Sequence, residues 1–198
     1  PIYILSTDEP FHFELLVPLG ESIYGGADIG PILRTAKNIT PGDFDSFSTA
    51  FFNLANYKKS QAEDPALAYN PVNVRESWFA ASTYFCRADF YLHVNWDDPR
   101  INIYWGEQIS AFDKAIAALP IPGHRVKTST SDFDIEAIWF PASTDSNTNR
   151  PTLILGNGYD GAQEGLYHTV AVPGLARGWN VITYEGPGHP ISLHLILK

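Results

Sequence analysis

A chain of 198 residues, 44% hydrophobic and 14% aromatic, is long enough to bury a core and too apolar to be disordered. Its formal charge of −9 argues against nucleic acid or an anionic membrane as the main partner, because both are bound through Lys/Arg surfaces. A single cysteine, Cys86, excludes an internal disulfide framework and a cysteine metal cluster, and the default compartment is a reducing cytoplasm.

No apolar run reaches the roughly 18 residues of a membrane span, and the N-terminus lacks the basic-then-apolar pattern of a signal peptide. The chain has no methionine and begins at Pro1. Removal of an initiator Met before proline would leave it so, and so would a chain that is a piece of a longer one.

From about residue 10 to 119 the apolar spacing is helical. Ile29, Ile32, Leu33 and Ala36 share one face, with Asp28 as N-cap. Thr40-Pro41 reads as cap and first-turn proline of a helix carrying Phe44, Phe47, Phe51 and Leu54. Asn73 and Glu76 have capping-box spacing ahead of Trp78, Ala81, Phe85, Ala88 and Leu92. Asp98-Pro99 repeats the cap-plus-proline device before Tyr104, Ile109, Phe112, Ile116 and Leu119. The plain expectation is about four helices with their aromatics, and the Cys86 thiol, in a core.

After Pro120-Ile121-Pro122-Gly123 the period changes. RVKTSTSD and FDIEAIWF alternate toward period two around Ser131-Asp132, which predicts an antiparallel hairpin. TLILG is a short apolar run of the kind found in strands buried on both faces. Residues 162–177 read as a helix that Pro173 must kink or end. NVITY is a further strand, so strand, helix and strand make a right-handed crossover in a parallel sheet. Residues 1–119 are thus a helical region and 120–198 an α/β region.

The stretch LILGNGYDGAQE, residues 153–164, carries the chemistry. Glycine serves where φ must be positive or where something approaches the main chain closely, and Gly156 and Gly158 stand where a strand ends. A phosphate cradle of the Walker type would need a Lys-Ser/Thr pair, which is absent. Gly156, Gly158 and Gly161 do have the G-x-G-x-x-G spacing of a dinucleotide site, and Glu185 stands where its acidic partner would end the next strand. Against this, Asp160 inside the turn would face a pyrophosphate, and a hairpin precedes the unit. The third reading is an oxyanion hole, in which main-chain N–H groups face developing negative charge.

The stretches IYGGADIGPILRTA, VRESWFAASTYFCRADFYLH, DDPR, PTLILGNGYDGAQEGLYH and ARGWNVITYEGPGHP resemble, in order, the α/β-hydrolase family that includes 2,6-dihydropseudooxynicotine hydrolase and fungal heptaketide hydrolases of pigment pathways. They cover most of residues 22–190. The resemblance implies an α/β fold: a helical N-terminal lid region, then the first strands of a hydrolase sheet, a hairpin plus a parallel crossover. It implies cleavage of C–C bonds next to carbonyls, or of esters, by a Ser-His-Asp triad, with a small-molecule ketone or ester of polyketide-like or aromatic kind as substrate and no cofactor. The N–H of Tyr159 becomes the oxyanion donor, Gly156, Gly158 and Asp160 support the turn, and His189 is a residue that can face the cleft.

Two departures shape the expectation. Glu164-Gly165 stands where the family has two acidic residues, and no G-x-S-x-G occurs in the chain. Ser77, Ser82 and Ser110 lie in helical patterns, His168 reads as packed or on a helix surface, and no metal-ligand set is visible. The triad is therefore expected beyond residue 198, with self-association or a second polypeptide completing the sheet. The alternative is a catalytically dead binding or regulatory protein made from a hydrolase half.

Overall fold

The computed structural model describes residues 3–129, 131–132, 134–158 and 161–186. The chain divides into two compact units, one ending at Ala115 and the other beginning at Ile116.

The first unit is helical among the described residues: α1 Glu9–Glu21, α2 Ile29–Ala36, α3 Phe44–Glu63, α4 Pro71–Phe90 and α5 Arg100–Ala117, the last running just past the unit boundary. Helix α1, which periodicity did not separate from its surroundings, starts where Asp8 accepts the Phe11 N–H at 2.9 Å and Pro10 occupies the first turn. Two caps lie away from their predicted positions. Helix α3 is capped by Asp43, which accepts the Ser46 N–H at 3.0 Å, while Thr40-Pro41 forms the turn before it. Helix α4 is capped by Asn70 with Pro71 behind it, so Asn73 donates its N–H to the cap instead of being one. Asp28 stands at the α2 N-cap but makes no capping bond; its carboxylate meets Lys58 at 2.6 Å.

The core of this unit is aromatic. Phe11, Phe47, Phe51, Tyr84, Phe85 and Phe112 are buried, as are Trp78, Ala81, Ala88 and Leu92. The ring of Phe47 lies 4.9 Å from those of Phe11, Phe51 and Tyr91, so one side chain ties α1, α3 and the turn after α4 together. A polar seam also crosses from α4 to α1. Arg87 meets Glu14 at 2.7 Å, and the Thr83 hydroxyl donates to Glu21 at 3.1 Å, all four residues buried. Desolvation pushes the Glu21 carboxyl above its ordinary value, against the pull of Arg87 and of the Thr83 hydroxyl. Among the described residues no helix is long and apolar enough to cross a membrane.

The second unit holds, among its described residues, a sheet in the order β1-β2-β4-β3, from β1 His124–Ser129, β2 Asp134–Phe140, β3 Thr152–Gly156 and β4 Asn180–Glu185. Strands β1 and β2 form the predicted antiparallel hairpin, β2 runs antiparallel to β4, and β3 and β4 pair in parallel. The crossover between β3 and β4 begins near residue 165, widens into a π turn over Tyr167–Ala171 and continues as α6 Val172–Ala176. Pro173 follows closely on the π turn, in the first turn of α6. Gly174 lets this helix lie against the sheet, since a Cβ there would come within 3.2 Å of Val181.

The register places Ile138, Phe140, Val181, Thr183 and Glu185 on one face, and all are buried. The expectation that TLILG is buried on both faces is corrected. Strand β3 is an edge among the described residues, and Ile154, on the other face, is 69% exposed. Its ladder neighbour Ile182 is half-buried and Tyr184 is 38% exposed. Among the described residues β3 pairs with β4 alone.

Two outcomes follow for the helical unit. Phe47→Ala should cost about 3–5 kcal/mol of stability, read as a shift in the urea midpoint. Because the Glu21 pKa is raised in the folded state, its contribution is complete below the ordinary value of 4.5 and declines as pH rises above it. Glu21→Gln keeps the acceptor for Thr83 without the charge. Denaturation at pH 4 to 8 should therefore show the variant gaining on the parent protein as pH rises.

Candidate active site

The carboxyl ends of parallel strands are where α/β sheets bind ligands, and here β3 and β4 end side by side at Gly156 and Tyr184. A Cβ on Gly156 would lie 3.0 Å from the Tyr184 hydroxyl oxygen, so a side chain there would press on the Tyr184 ring, while the Gly156 φ is not left-handed. Gly158 has open space around it and no positive φ, so its backbone makes neither demand. The turn closes on itself: the Asn157 side-chain amide donates to the Gly161 carbonyl, and the Gly161 N–H donates to the Gly158 carbonyl at 3.2 Å. Tyr159, Asp160 and His189 lie outside the described residues.

Behind the turn stands a buried polar layer. Gln163 is fully buried; its main-chain N–H donates to Glu185 Oε1 at 2.8 Å, and its side-chain oxygen accepts from the Thr183 hydroxyl at 3.2 Å. Glu164, 4% exposed, pairs with Arg125 of β1 at 2.9 Å. The Glu164 carboxylate thus has a fixed cation, and the hairpin is tied to the segment after the turn. Glu185 is fully buried and bonded to its own chain, which removes the acidic partner that a dinucleotide ribose would need. His168 is packed, 2% exposed, edge-on to Tyr167.

Sequence reasoning missed Asn157, Gln163 and Arg125, and weighed Glu185 only as a dinucleotide ligand. Asn157 carried a local signal, a short amide beside the glycine turn. The others become partners only through the fold, across separations of 20 residues or more. Ser77 and Ser82 are buried within α4, and Ser82 donates to the Gln108 carbonyl. An open groove of about 710 Å3 between α2 and α3 is lined by Arg34, Asn38, Asp45, Asn53 and Tyr57, among others, and by no histidine. Among the described residues no group of three His, Cys, Asp or Glu is placed to hold a metal ion.

No protein-family model matches the chain. It is 29% identical over 196 residues to Hydrolase acrC of Aspergillus aculeatus, covering 92% of this chain and 46% of that protein. It is 29% identical over 191 residues to the 20-hydroxy-prefusarin hydrolase FUS2 of Gibberella moniliformis, covering 93% and 45% respectively. An alpha/beta hydrolase, ucsC of an Acremonium species, is 26% identical over 92% of this chain and 40% of its own length. The crystal structure of 2,6-dihydroxy-pseudo-oxynicotine hydrolase superposes with a TM-score of 0.66 at 19% identity, over 87% of this chain and 46% of that one. The chain is similar to the N-terminal part of these hydrolases, and its fold is the corresponding portion of an α/β-hydrolase fold. It spans about half the length of the curated relatives it matches.

The Arg125–Glu164 pair makes a direct prediction. Arg125→Ala strands a buried carboxylate and should destabilise the second unit by about 3 kcal/mol. The double variant Arg125→Ala, Glu164→Gln should recover part of that loss. Thermal unfolding of the three proteins measures the difference.

Proposed function

We propose that this chain forms the helical N-terminal region and the oxyanion side of a serine-type α/β-hydrolase. The observation that carries the reading is the glycine turn at the carboxyl end of β3, clamped beside β4, in a chain whose relatives are named hydrolases. In this fold one oxyanion N–H comes from the loop after the third strand and the other from the residue after the nucleophile. By that correspondence the Tyr159 N–H is the first donor, Asp160 holds the turn with Asn157, and His189 belongs to the cleft.

The chemistry is acyl transfer. A serine attacks the substrate carbonyl and a histidine takes its proton. The oxyanion, held by main-chain N–H groups, collapses with cleavage of the C–C or ester bond, and the histidine gives its proton to the departing carbanion or alkoxide. Water then hydrolyses the acyl-serine. Removing one such donor in a comparable site costs on the order of 100- to 1,000-fold in kcat. The serine, acid and histidine come from strands beyond β4, on the same polypeptide or on a second one. Those strands would also cover the open edge of β3 and the face carrying Ile154, Ile182 and Tyr184. The substrate class is a polyketide-like or aromatic ketone or ester, since one relative is named for its action on 20-hydroxy-prefusarin.

A fluorophosphonate probe applied to the complete protein, together with assays on aryl ketones and esters, tests the reading. Labelling of a serine outside these 198 residues is expected, and Asp160→Ala should lower kcat more than it raises KM. Neither labelling nor hydrolysis would overturn the enzyme reading in favour of a binding protein derived from a hydrolase half.

A further inference from the structure

The bond between Gln163 and Glu185 has a geometry that simple packing does not require. Glu185 is the last residue of β4, lies on the covered face of the sheet with Thr183, and is fully buried. Its Oε1 accepts the Gln163 N–H at 2.8 Å, two residues after the glycine turn closes at Gly161. The Gln163 side chain returns to β4 through the Thr183 hydroxyl at 3.2 Å. The turn is therefore held at both ends by the same strand: Gly156 through the β3–β4 ladder and against Tyr184, and Gln163 through Glu185. A main-chain N–H on the first residues of a helical segment needs an acceptor from elsewhere, and a carboxyl group there also suits the local dipole.

We propose that Glu185 is a positioning residue of the hydrolase site: by holding the Gln163 N–H it fixes where the chain leaves the glycine turn after Gly161. Glu185 touches no substrate in this account and acts through Gln163. The activity part of the inference rests on the hydrolase reading, whereas the structural part stands without it.

The test uses the complete protein with Glu185→Ala, Glu185→Gln and Gln163→Ala. Hydrogen exchange at the Gln163 amide should speed up about 10- to 100-fold in Glu185→Ala, the loss of one buried hydrogen bond, with exchange at Val181 and Thr183 unchanged as the control for folding. Glu185→Gln keeps an acceptor and should keep the slow exchange, as should Gln163→Ala, which keeps the main-chain donor. In hydrolysis assays Glu185→Ala should lose about 100-fold in kcat at nearly constant KM, the scale of a misplaced catalytic group, and Glu185→Gln should restore most of it. Equal exchange at Gln163 in Glu185→Ala and the parent protein would overturn the proposal, as would an unchanged kcat. If Glu185→Ala fails to fold, slow exchange and retained kcat in Glu185→Gln support the assignment, and fast exchange there refutes it. A parent protein that hydrolyses nothing would defeat the hydrolase reading, and the exchange data would still decide whether Glu185 holds the turn.

Discussion

Parallel pairing of β3 with β4 is the constraint on which the second unit depends. Two parallel strands cannot be joined by a tight turn, so the chain must leave the end of β3, cross over as a helix and return. The crossover can lie close to the sheet because Gly174 has no side chain to strike Val181. Its first residues are held by Glu185, and its next by Arg125. The glycine turn is the start of this crossover, so whatever holds the crossover to the sheet also holds the turn.

The same pairing leaves a debt on the other side. Strand β3 has a neighbour on one edge only among the described residues, and its outward face carries an exposed Ile154 beside Ile182 and Tyr184. Each large apolar side chain left in water forgoes about 1.5–3 kcal/mol of burial, and an unpaired edge invites another strand. In the helical unit an aromatic cluster closes around Phe47, and Arg87 meets the buried Glu14.

Much of the fold was legible from periodicity. The change from a 3.6 to a 2.0 period near Pro120 marks the passage from helices to strands because burial on one face of each element demands those repeats. The helix starts were less legible, and the reason is local competition. Asp43 and Asn70 won their caps over Thr40 and Asn73 because each accepts from the N–H three residues on while a turn or a proline closes the chain behind it. The edge position of β3 was not legible at all: an apolar pentapeptide looks the same with one neighbour or two. In the site, the glycines could be read and their closest partners could not. The approach of Tyr184 to Gly156 and of Glu185 to Gln163 exists only once β4 lies beside β3.

We propose that further strands continue this sheet past β3, and solution mass tests this most directly. Size-exclusion chromatography with light scattering on the 198-residue chain should find a dimer or larger species, or a complex when a polypeptide carrying the remaining strands is added. A stable, monodisperse monomer that takes up no such partner would contradict the account.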